Sequence, residues 1–538
     1  PLLGVALLPA KMNHHDSGPG RFRRLFHLFL RAAMRFRWVT IILTVATFGV
    51  SVYGMRFVEQ QFFPNSDRVE LLVDFALPQN ASINETRAQM DRMETHLEGN
   101  ENVLFWSSYV GRGAPRFLLA SDVAPPAINT GQIVIQTPSI EARNALRSEL
   151  NAIAAADFPG VDIFVKLLEI GPPVGRPVQF RISGPDIATL RDRARDLTAM
   201  VASDSRLTGI VMNWNEPARV VRVDILQDKA RQLGISSSDI ASALNAIYDG
   251  ANITQLRDAA YLVDILARGD EAARQSVEAL AGLQLSTTSG MTIPLRSLAT
   301  FRYDTEQPEI HQRNRIPTIT VKAAILTKDQ PATIVKDLAS KLAEFNATLP
   351  FGYKAEVGGA VEASADSQAP IAAVVPLMLL IMAVLIMVQM QGFRLAFVVI
   401  CVAPLGLIGV VAALVPSGAP LGFVAILGVL ALIGILIRNS IILVHEIEVL
   451  RGMGRSAWDA VFEASDSRAR PILLTAAAAS LALIPISRQI FWGPMAYAMM
   501  GGIIAGTVIT LVFAPALYLA VFNVRQPDPT DPPAPAPD

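Results

Sequence analysis

The sequence is poor in cysteine, in charge and in recognisable catalytic signatures. Cys401 is its single cysteine, so an intrachain disulfide and a CxxC zinc site are excluded. Charged residues make up only 17% of the 538 residues, and the formal net charge is -1, without the basic surplus of a nucleic-acid-binding protein. The sequence contains no Walker, HExxH or GxSxG motif, so it indicates neither ATP hydrolysis nor common hydrolase chemistry. We predict no cofactor, no metal site and no nucleic-acid partner.

Long apolar segments are what the sequence has in abundance. Hydrophobic residues make up 51% of the chain and its mean hydropathy is +0.38, which indicates neither a soluble enzyme nor a disordered protein. A helix needs about 20 apolar residues, at about 1.5 Å each, to cross about 30 Å of hydrocarbon. We therefore predict six spanning helices. They lie at residues 38–55, 371–390, 395–415, 422–444, 471–487 and 489–524.

The distribution of basic residues predicts how these helices are oriented. Residues 11–37 contain seven Lys and Arg but one acid, which is typical of a cytoplasmic linker. Alternation then places residues 56–370 outside the cytoplasm. Residues 1–10 are apolar but too short to cross, so we interpret them as the end of a preceding transmembrane helix and the chain as part of a longer one. Residues 525–538 are rich in proline and predict a disordered tail.

The segment outside the cytoplasm alternates between strand and helix patterns. ELLVDFALP reads as a strand, residues 82–97 as an amphipathic helix and NVLFWSSYV as a second strand. The same order recurs twice, which is typical of split β-α-β units. The predicted fold is an α-helical membrane bundle of six full spans plus a stub, with a large extracytoplasmic α+β region of ferredoxin-like β-α-β modules.

Five motifs in order along the chain identify a family. They are FFPNSDR, RVDILQDKARQLGISSSDI, APLGLIG, GILIRNSIILVHEIE and RARPILLT. In these motifs the sequence resembles the carboxy-terminal half of a resistance-nodulation-division (RND) multidrug efflux transporter of the hydrophobe/amphiphile type. The resemblance implies periplasmic porter modules at residues 56–222, a docking subdomain at 223–306 and a return of the porter module at 307–370.

The resemblance also implies a function and partners. The chain would be a secondary active transporter, not an enzyme, which exchanges protons for amphiphilic small molecules across the bacterial inner (plasma) membrane. Its implied partners are the amino-terminal half of the same transporter, further copies in a homotrimer, a periplasmic adaptor and an outer-membrane channel.

Arg438 is the outstanding residue of the predicted spans, because a charge inside a membrane helix costs roughly 3 kcal/mol or more. The adjacent Asn439 and Ser440 favour a polar patch inside a bundle. The alternative is snorkelling to the cytoplasmic interface from a depth of about 13 Å. By resemblance, Arg438 replaces a lysine that pairs with two aspartates of the absent half. Arginine is not deprotonated in proteins, so it would act there as a fixed cation.

Two residues of the fifth predicted span complete the proton relay that the resemblance implies. Thr475 matches the relay threonine, and Arg468 matches the arginine at the cytoplasmic mouth of the relay. Each has a structural alternative. The hydroxyl of Thr475 could bond back to its own helix, and Arg468 could be a basic anchor at the cytoplasmic interface.

A cluster of aromatic residues in the outer segment is the candidate substrate site. Phe105, Trp106 and Tyr109 precede Gly111, Arg112 and Gly113. Clustered aromatics on a strand often belong to a core, but by resemblance the glycine-containing loop is a switch loop and Tyr109 gates the substrate channel. Phe180 is a further candidate for the same pocket.

Two rival functions remain open at this point. A heavy-metal exporter of the same superfamily would need a methionine cluster in the outer region. The methionines there do not form an obvious one, and those at positions 378–390 fit a helix core better. The other rival is a non-transporting membrane scaffold or export accessory.

Overall fold

The computed structural model describes residues 21–524 and 526, except residues 65, 215, 272, 273, 275, 288, 289 and 328. The predicted helix end at residues 1–10, the start of the linker at 11–20 and the predicted tail, apart from residue 526, lie outside the described residues. Six helices of the described chain are long and apolar enough to cross a membrane. This number confirms the predicted bundle.

Two helices open the described chain, α1 (Arg21–Arg35) and α2 (Arg37–Gly54). Most of the linker predicted at residues 11–37 is therefore helical. Residues 21–35 contain no proline, glycine or acid, and their many Leu, Arg and Ala residues favour a helix. α1 buries Leu30 and Met34 against the bundle, and α2 is the first predicted span.

The first module of the outer region is an antiparallel sheet covered by two helices. Its elements are β1 (Glu70–Ala76), α3 (Ile83–Glu94), β2 (Phe105–Val110), β3 (Thr130–Gln136), α4 (Ile140–Asp157) and β4 (Asp162–Leu167). The strand order β2-β3-β1-β4 is ferredoxin-like. Ser82 and Ser139 cap the two helices. Alternation along β1 places Val73 and Phe75 in the core and Asp74 on the opposite face.

The second module begins with β5 (Val178–Ser183), α5 (Ile187–Ala202) and β6 (Leu207–Met212). A long insertion then interrupts it. The insertion contains β7 (Ala218–Ile225), α6 (Gln227–Gln232), α7 (Ser237–Tyr248), β8 (Ala251–Asp258), β9 (Tyr261–Ala267), α8 (Val277–Ala281), β10 (Gln284–Ser286), β11 (Thr292–Pro294) and β12 (Ala299–Glu306).

The insertion contains a divided helical stretch and two hairpins. The stretch DKARQLGISSSDIASALNAI forms two helices, α6 and α7, because Gly234 between them adopts a left-handed conformation with φ of 67°. The hairpin of β8 and β9 has strands that are exposed throughout. The second hairpin is formed by β10 and β11.

The chain then returns to complete the second module. Its remaining elements are β13 (Gln312–Arg313), β14 (Ile316–Ile325), α9 (Pro331–Asp337), α10 (Ala339–Thr348) and β15 (Lys354–Gly358). β14 pairs with β6 and β5, and β5 pairs with β15. This order matches that of the first module, so the predicted ferredoxin-like modules are confirmed.

The membrane bundle follows with α11 (Gly359–Met390), α12 (Phe393–Val402), α13 (Gly406–Ser417), α14 (Phe423–Gly452), α15 (Ala457–Leu483) and α16 (Gly493–Val521). α11 begins earlier than the span predicted from residue 371. The reason is that Glu362 interrupts the apolar pattern of the sequence but not the helix. Glu362 pairs with two arginines of the second module, Arg181 and, at 2.7 Å, Arg313. Pro404 divides the third span into α12 and α13.

Small residues allow α13 and α16 to pack closely. A Cβ at Gly409 would lie 2.0 Å from the carbonyl oxygen of Gly501. On another side of α16, a Cβ at Gly502 or Gly506 would lie 2.0 Å or 2.3 Å from the side chain of Leu432 or Leu436. Gly502 and Gly506 therefore form a small-residue face that allows α14 to pack closely against α16.

Candidate functional site

Arg438 lies on an exposed stripe along α14. A Cβ at Gly434, one turn away, would meet no atom within 4 Å, and Arg438 has no ion pair or hydrogen bond with any described residue. No described helix therefore covers the middle of this face. The stripe, at the three- and four-residue spacing of one helix face, consists of Leu427, Ala431, Gly434, Arg438, Ile442, His445 and Val449.

Asn439 and Ser440 face the opposite way. Asn439 is 6% exposed and Ser440 is fully buried, and the Ser440 hydroxyl donates to the carbonyl oxygen of Leu436 at 2.9 Å. Successive residues of a helix point about 100° apart. The structure thus places Arg438 and Asn439 on different faces instead of in one polar patch.

Arg468 joins the cytoplasmic ends of α14 and α15. Its guanidinium donates to the carboxylate of Glu446, whereas its Nε is buried without an acceptor among the described residues. A buried donor without a partner is costly. Arg468 is thus tied to the helix that carries Arg438, and its relay role and its role as a basic anchor both stay predictions.

Thr475 lies on the exposed face of α15. Its hydroxyl donates to the carbonyl oxygen of Pro471 at 2.9 Å, which is the local hydrogen bond expected of a threonine with no other partner. Its neighbour Leu474 is 63% exposed. Thr475 therefore shares with Arg438 the property of facing away from the described bundle, and the role predicted for it remains a prediction.

A cleft separates the two outer modules. Its lower part, about 440 Å³, runs from residues 61–64 near the membrane to the loop at 169–177. Its upper part, about 280 Å³, reaches Arg112 and Gly113. The two parts share their central lining, so they lie next to each other. The shared residues are Phe164, Lys166, Val174 and Gly175.

Charged side chains line the upper part of the cleft in pairs. Lys166 on β4 pairs with Asp74 on β1. Asp74 also accepts a hydrogen bond from the amide of Gln132 at 2.6 Å. Arg176 pairs with Asp162 at 3.1 Å and stacks over the ring of Phe164. These residues were not predicted, although the alternation in ELLVDF and VDIFVK could have placed the charges on the face opposite the core.

Two titratable groups of the cleft are perturbed by burial. Burial lowers the pKa of Lys322 on β14, with a further contribution from the nearby charge of Arg176. Burial raises the pKa of Glu169, and the N–H groups of Val174 and Gly175, which donate to its carboxylate at 2.6 Å and 2.9 Å, partly oppose this change. Lys322 and Glu169 are thus partly shielded from water.

The predicted aromatic site is only partly brought together. Tyr109 is half-buried on edge strand β2, opposite Gln132 of the cleft, and Phe105 is 61% exposed. Trp106 packs against the first module's core. Phe180 is fully buried in the second module's core, which corrects its proposed place in a pocket. None of the four lines the described cleft, although Arg112 and Gly113 of the predicted switch loop do.

No metal centre is formed by the described residues. They contain no group of three or more His, Cys, Asp or Glu suited to an ion. The described lining of the cleft contains no Met, Cys or His. Met90 and Met93 are fully buried in the first module's core, and Met382, Met387 and Met390 contribute to the core of the bundle.

Three comparisons relate the chain to known proteins. A family model described as the AcrB/AcrD/AcrF family matches residues 20–522. The cobalt-zinc-cadmium resistance protein CzcA of Cupriavidus metallidurans is 26% identical over 420 residues, which are 74% of this chain and 39% of that protein.

The fold is similar to the crystal structure of a heavy metal efflux pump. Two crystal forms of that pump match with TM-scores of 0.75 and 0.74 at 21% identity, and cover 93% of this chain and 52% of the pump chain. The chain thus spans about half the length, or less, of the relatives that it matches.

Proposed function

The chain belongs to the AcrB/AcrD/AcrF family of the RND superfamily, and from this premise we propose that it is the carboxy-terminal half of a proton-driven efflux pump. It is an inner-membrane protein with a large periplasmic domain. The single observation that carries the proposal is Arg438, which is exposed on α14 without a counterion among the described residues.

The exposure of Arg438 within a span supports a partner that carries negative charge. A guanidinium that faced hydrocarbon would be strongly unfavourable, which favours another protein surface over this stripe. Gly434 and Ala431 leave room there for a close helix. We assign the stripe to helices of the amino-terminal half, with carboxylates opposite Arg438.

Such carboxylates would provide the proton coupling. When they are ionised they attract Arg438, and when protons neutralise them the attraction weakens, so the helices repack. Arginine keeps its charge throughout. Arg468, held by Glu446 with its Nε free of a described acceptor, and Thr475, on the exposed face of α15, remain the proposed relay. The role of Asn439 would be limited to packing because it is buried on the other side.

Amphiphilic organic compounds are the proposed substrates. The cleft between the modules combines apolar surface with paired charges. Its described lining residues contain neither sulfur nor imidazole. Sulfur and imidazole are the ligands that soft metal ions favour. Tyr109, beside the cleft, is the proposed gate. Export to the outside would require the family's trimer, adaptor and outer-membrane channel, which we propose as partners.

A heavy-metal exporter is the second candidate, favoured by the names of the similar proteins. Four carboxylates line the described cleft, those of Asp74, Asp162, Glu169 and Asp329. Asp74 and Asp162 are each paired with a basic residue, and the described residues form no group of three His, Cys, Asp or Glu suited to an ion. A metal site would therefore need further ligands.

The two candidates differ in which substrate a proton gradient drives across the membrane. The chain should be produced together with the amino-terminal half and reconstituted in vesicles with a pH gradient. We expect the gradient to drive transport of a cationic amphiphilic dye, and not of Zn²⁺ or Co²⁺. Transport of the ions without the dye would establish the second candidate, and no transport of either would favour a non-transporting accessory.

A further inference from the structure

An apolar groove of about 550 Å³ lies between α1, α2, α13 and α16. Phe29, Leu43 and Val508 are among its lining residues. Its threonines add little polarity, because their hydroxyls already donate to backbone carbonyl oxygens. Thr44, for example, donates to the carbonyl oxygen of Thr40 at 2.8 Å. The groove is therefore suited to a hydrocarbon chain.

The depth of the groove matches one leaflet of a bilayer. On α2 it extends from Val39 to Thr47, which is about 12 Å along a helix, and half of the hydrocarbon core is about 15 Å. α2 leads from α1 to the periplasmic modules, so α1 lies at the cytoplasmic side. The groove consequently faces the cytoplasmic leaflet.

A basic pocket of about 360 Å³ adjoins the groove at its cytoplasmic end, and Val39 lines both. The pocket also contains Arg35, Arg37 and Trp458. The Arg37 guanidinium already has acceptors within the protein. It donates to the carbonyl oxygens of Leu519, at 3.1 Å, and of Val524 just after the end of α16. Arg35 is exposed and has no ion pair or hydrogen bond with a described residue. The Arg35 guanidinium lies 6.0 Å from the centre of the Phe36 ring, and its N–H donors have no described acceptor beside the apolar groove.

The remainder of α1 has the character of a helix that lies at a membrane surface. It contains no acid. One exposed stripe is apolar, with Leu25, Leu28 and Phe29 between 54% and 71% exposed, and the exposed Arg24 and Arg31 add to the positive charge of Arg35. Basic amphipathic helices of this type attract anionic lipids. The complementary ligand is an anion that carries a long apolar chain.

We propose that the groove and the basic pocket together bind one anionic phospholipid of the cytoplasmic leaflet. An acyl chain lies along α2 and α16, and the phosphate of the headgroup meets Arg35. The site is distinct from the proposed transport path, which runs between the periplasmic modules and does not share a residue with the groove. The lipid is a resident ligand and is not exported.

Native mass spectrometry of the delipidated full chain tests this site, with phosphatidylglycerol and phosphatidylcholine of identical acyl chains as probes. We expect phosphatidylglycerol to bind at least fivefold more tightly. Arg35→Ala should weaken the binding of phosphatidylglycerol about fivefold, as expected for one basic residue near a lipid surface. The same variant should leave the affinity for phosphatidylcholine unchanged. Arg394→Ala, at an exposed arginine of α12 outside the site, is the matched control and should have no effect.

The groove is tested by filling it. Val508→Trp, at a residue 53% exposed in the groove, should weaken both lipids, whereas Val45→Trp, at an equally exposed residue of α2 outside it, should not. Thr47→Phe replaces Val508→Trp if that variant misfolds. If Arg35→Ala and Arg394→Ala had equal effects, or if the two tryptophan variants did, the lipid would be bound as ordinary annular lipid and the proposed site would be wrong. Displacement of phosphatidylglycerol by a cationic amphiphilic dye would reassign it to an export substrate.

Discussion

At the scale of single residues, Arg438 decides how the membrane region is interpreted. Its exposure agrees with a partner outside the described chain, and it also agrees with snorkelling if that partner were lipid. The two interpretations separate on one point. A fixed cation of the transport cycle needs its charge, whereas a snorkelling residue does not.

Arg438→Ala should therefore abolish efflux in the full transporter and leave expression and assembly intact. Arg438→Lys should retain part of the activity, because the positive charge survives in a different shape. The measurement is drug resistance normalised to the amount of transporter in the membrane. Near-normal resistance of the Ala variant would establish snorkelling.

Tyr109 is the second residue whose role can be tested, with Trp106 as its matched control on the same strand. Tyr109 is half-buried beside the cleft, whereas Trp106 packs against the core. We expect Tyr109→Ala to weaken export of bulky aromatic compounds more than of small ones. Trp106→Ala should cost roughly 3 kcal/mol of stability through its cavity and lower export of all compounds together. A uniform loss for Tyr109→Ala that follows its expression level would place Tyr109 in the core as well.

Lys322 gives a prediction for pH. Burial lowers the pKa of Lys322 in the folded chain. Below that pKa, the charged amine lowers the free energy of unfolding. This loss of stability becomes smaller as the pH rises towards 10.5, the pKa expected in the unfolded chain. Lys322→Met should therefore raise the Tm of the full chain at pH 7, by about 2 °C, and by less at pH 9.5. Thermal unfolding at both pH values measures the difference. Exposed Lys336→Met is the control, and an equal or larger gain at pH 9.5 would contradict the prediction.

At the scale of elements, the crossing of α13 and α16 depends on glycine. The carbonyl oxygens of Gly501 and Gly409 each lie where a Cβ of the other would stand, at 2.0 Å and 2.3 Å. Backbone atoms cannot rotate away as a side chain can, so any substitution must separate the helices.

Gly409→Ala should consequently destabilise the bundle, by about 2 kcal/mol as for other overpacked sites. Gly49→Ala on exposed α2, where a Cβ would meet no atom within 4 Å, should be neutral or slightly stabilising because alanine favours helix more than glycine. Unfolding in detergent by increasing denaturant measures both. Equal stability of the two variants would show that the helices can move apart without cost.

At the scale of the whole molecule, the described membrane helices contain a cation but no acid at depth. The acids of these helices lie towards the helix ends. Glu446 and Glu448 of α14 and Asp459, Glu463 and Asp466 of α15 lie towards the cytoplasm, and Glu362 and Asp366 of α11 lie towards the periplasm. Arg438 cannot release a proton under any ordinary condition. The proposed proton exchange would therefore depend on groups that the described helices do not provide.

The isolated chain should accordingly show no proton-coupled export after reconstitution in vesicles, even with a large pH gradient. Addition of the amino-terminal half should restore transport. A pH-sensitive dye inside the vesicles reports proton movement in both preparations. Proton-coupled export by the chain alone would disprove the proposed division of roles.

Much of the architecture was determined by the sequence alone. The lengths of apolar segments predicted six spanning helices. The thickness of the hydrocarbon core sets a minimum length for a spanning segment, and few apolar segments of soluble proteins reach it. Alternating strand and helix patterns predicted the ferredoxin-like modules, because each element must bury one face. Motifs indicated the superfamily, and Arg438 was recognisable because its charge is unusual in an apolar helix.

Only the tertiary structure decided which side chains meet. The pair Asp74–Lys166 forms across neighbouring strands of the first module, and Arg176–Asp162 joins that module to the segment before β5. The cleft that they line lies where the two modules face each other, and no local pattern specifies those partners. For the same reason Phe180, which resembled a pocket residue, lies in a core, and Asn439 faces away from Arg438. The lipid groove also requires four helices that are distant in sequence. Local periodicity determines which face of an element is apolar, whereas packing between distant elements determines what that face touches.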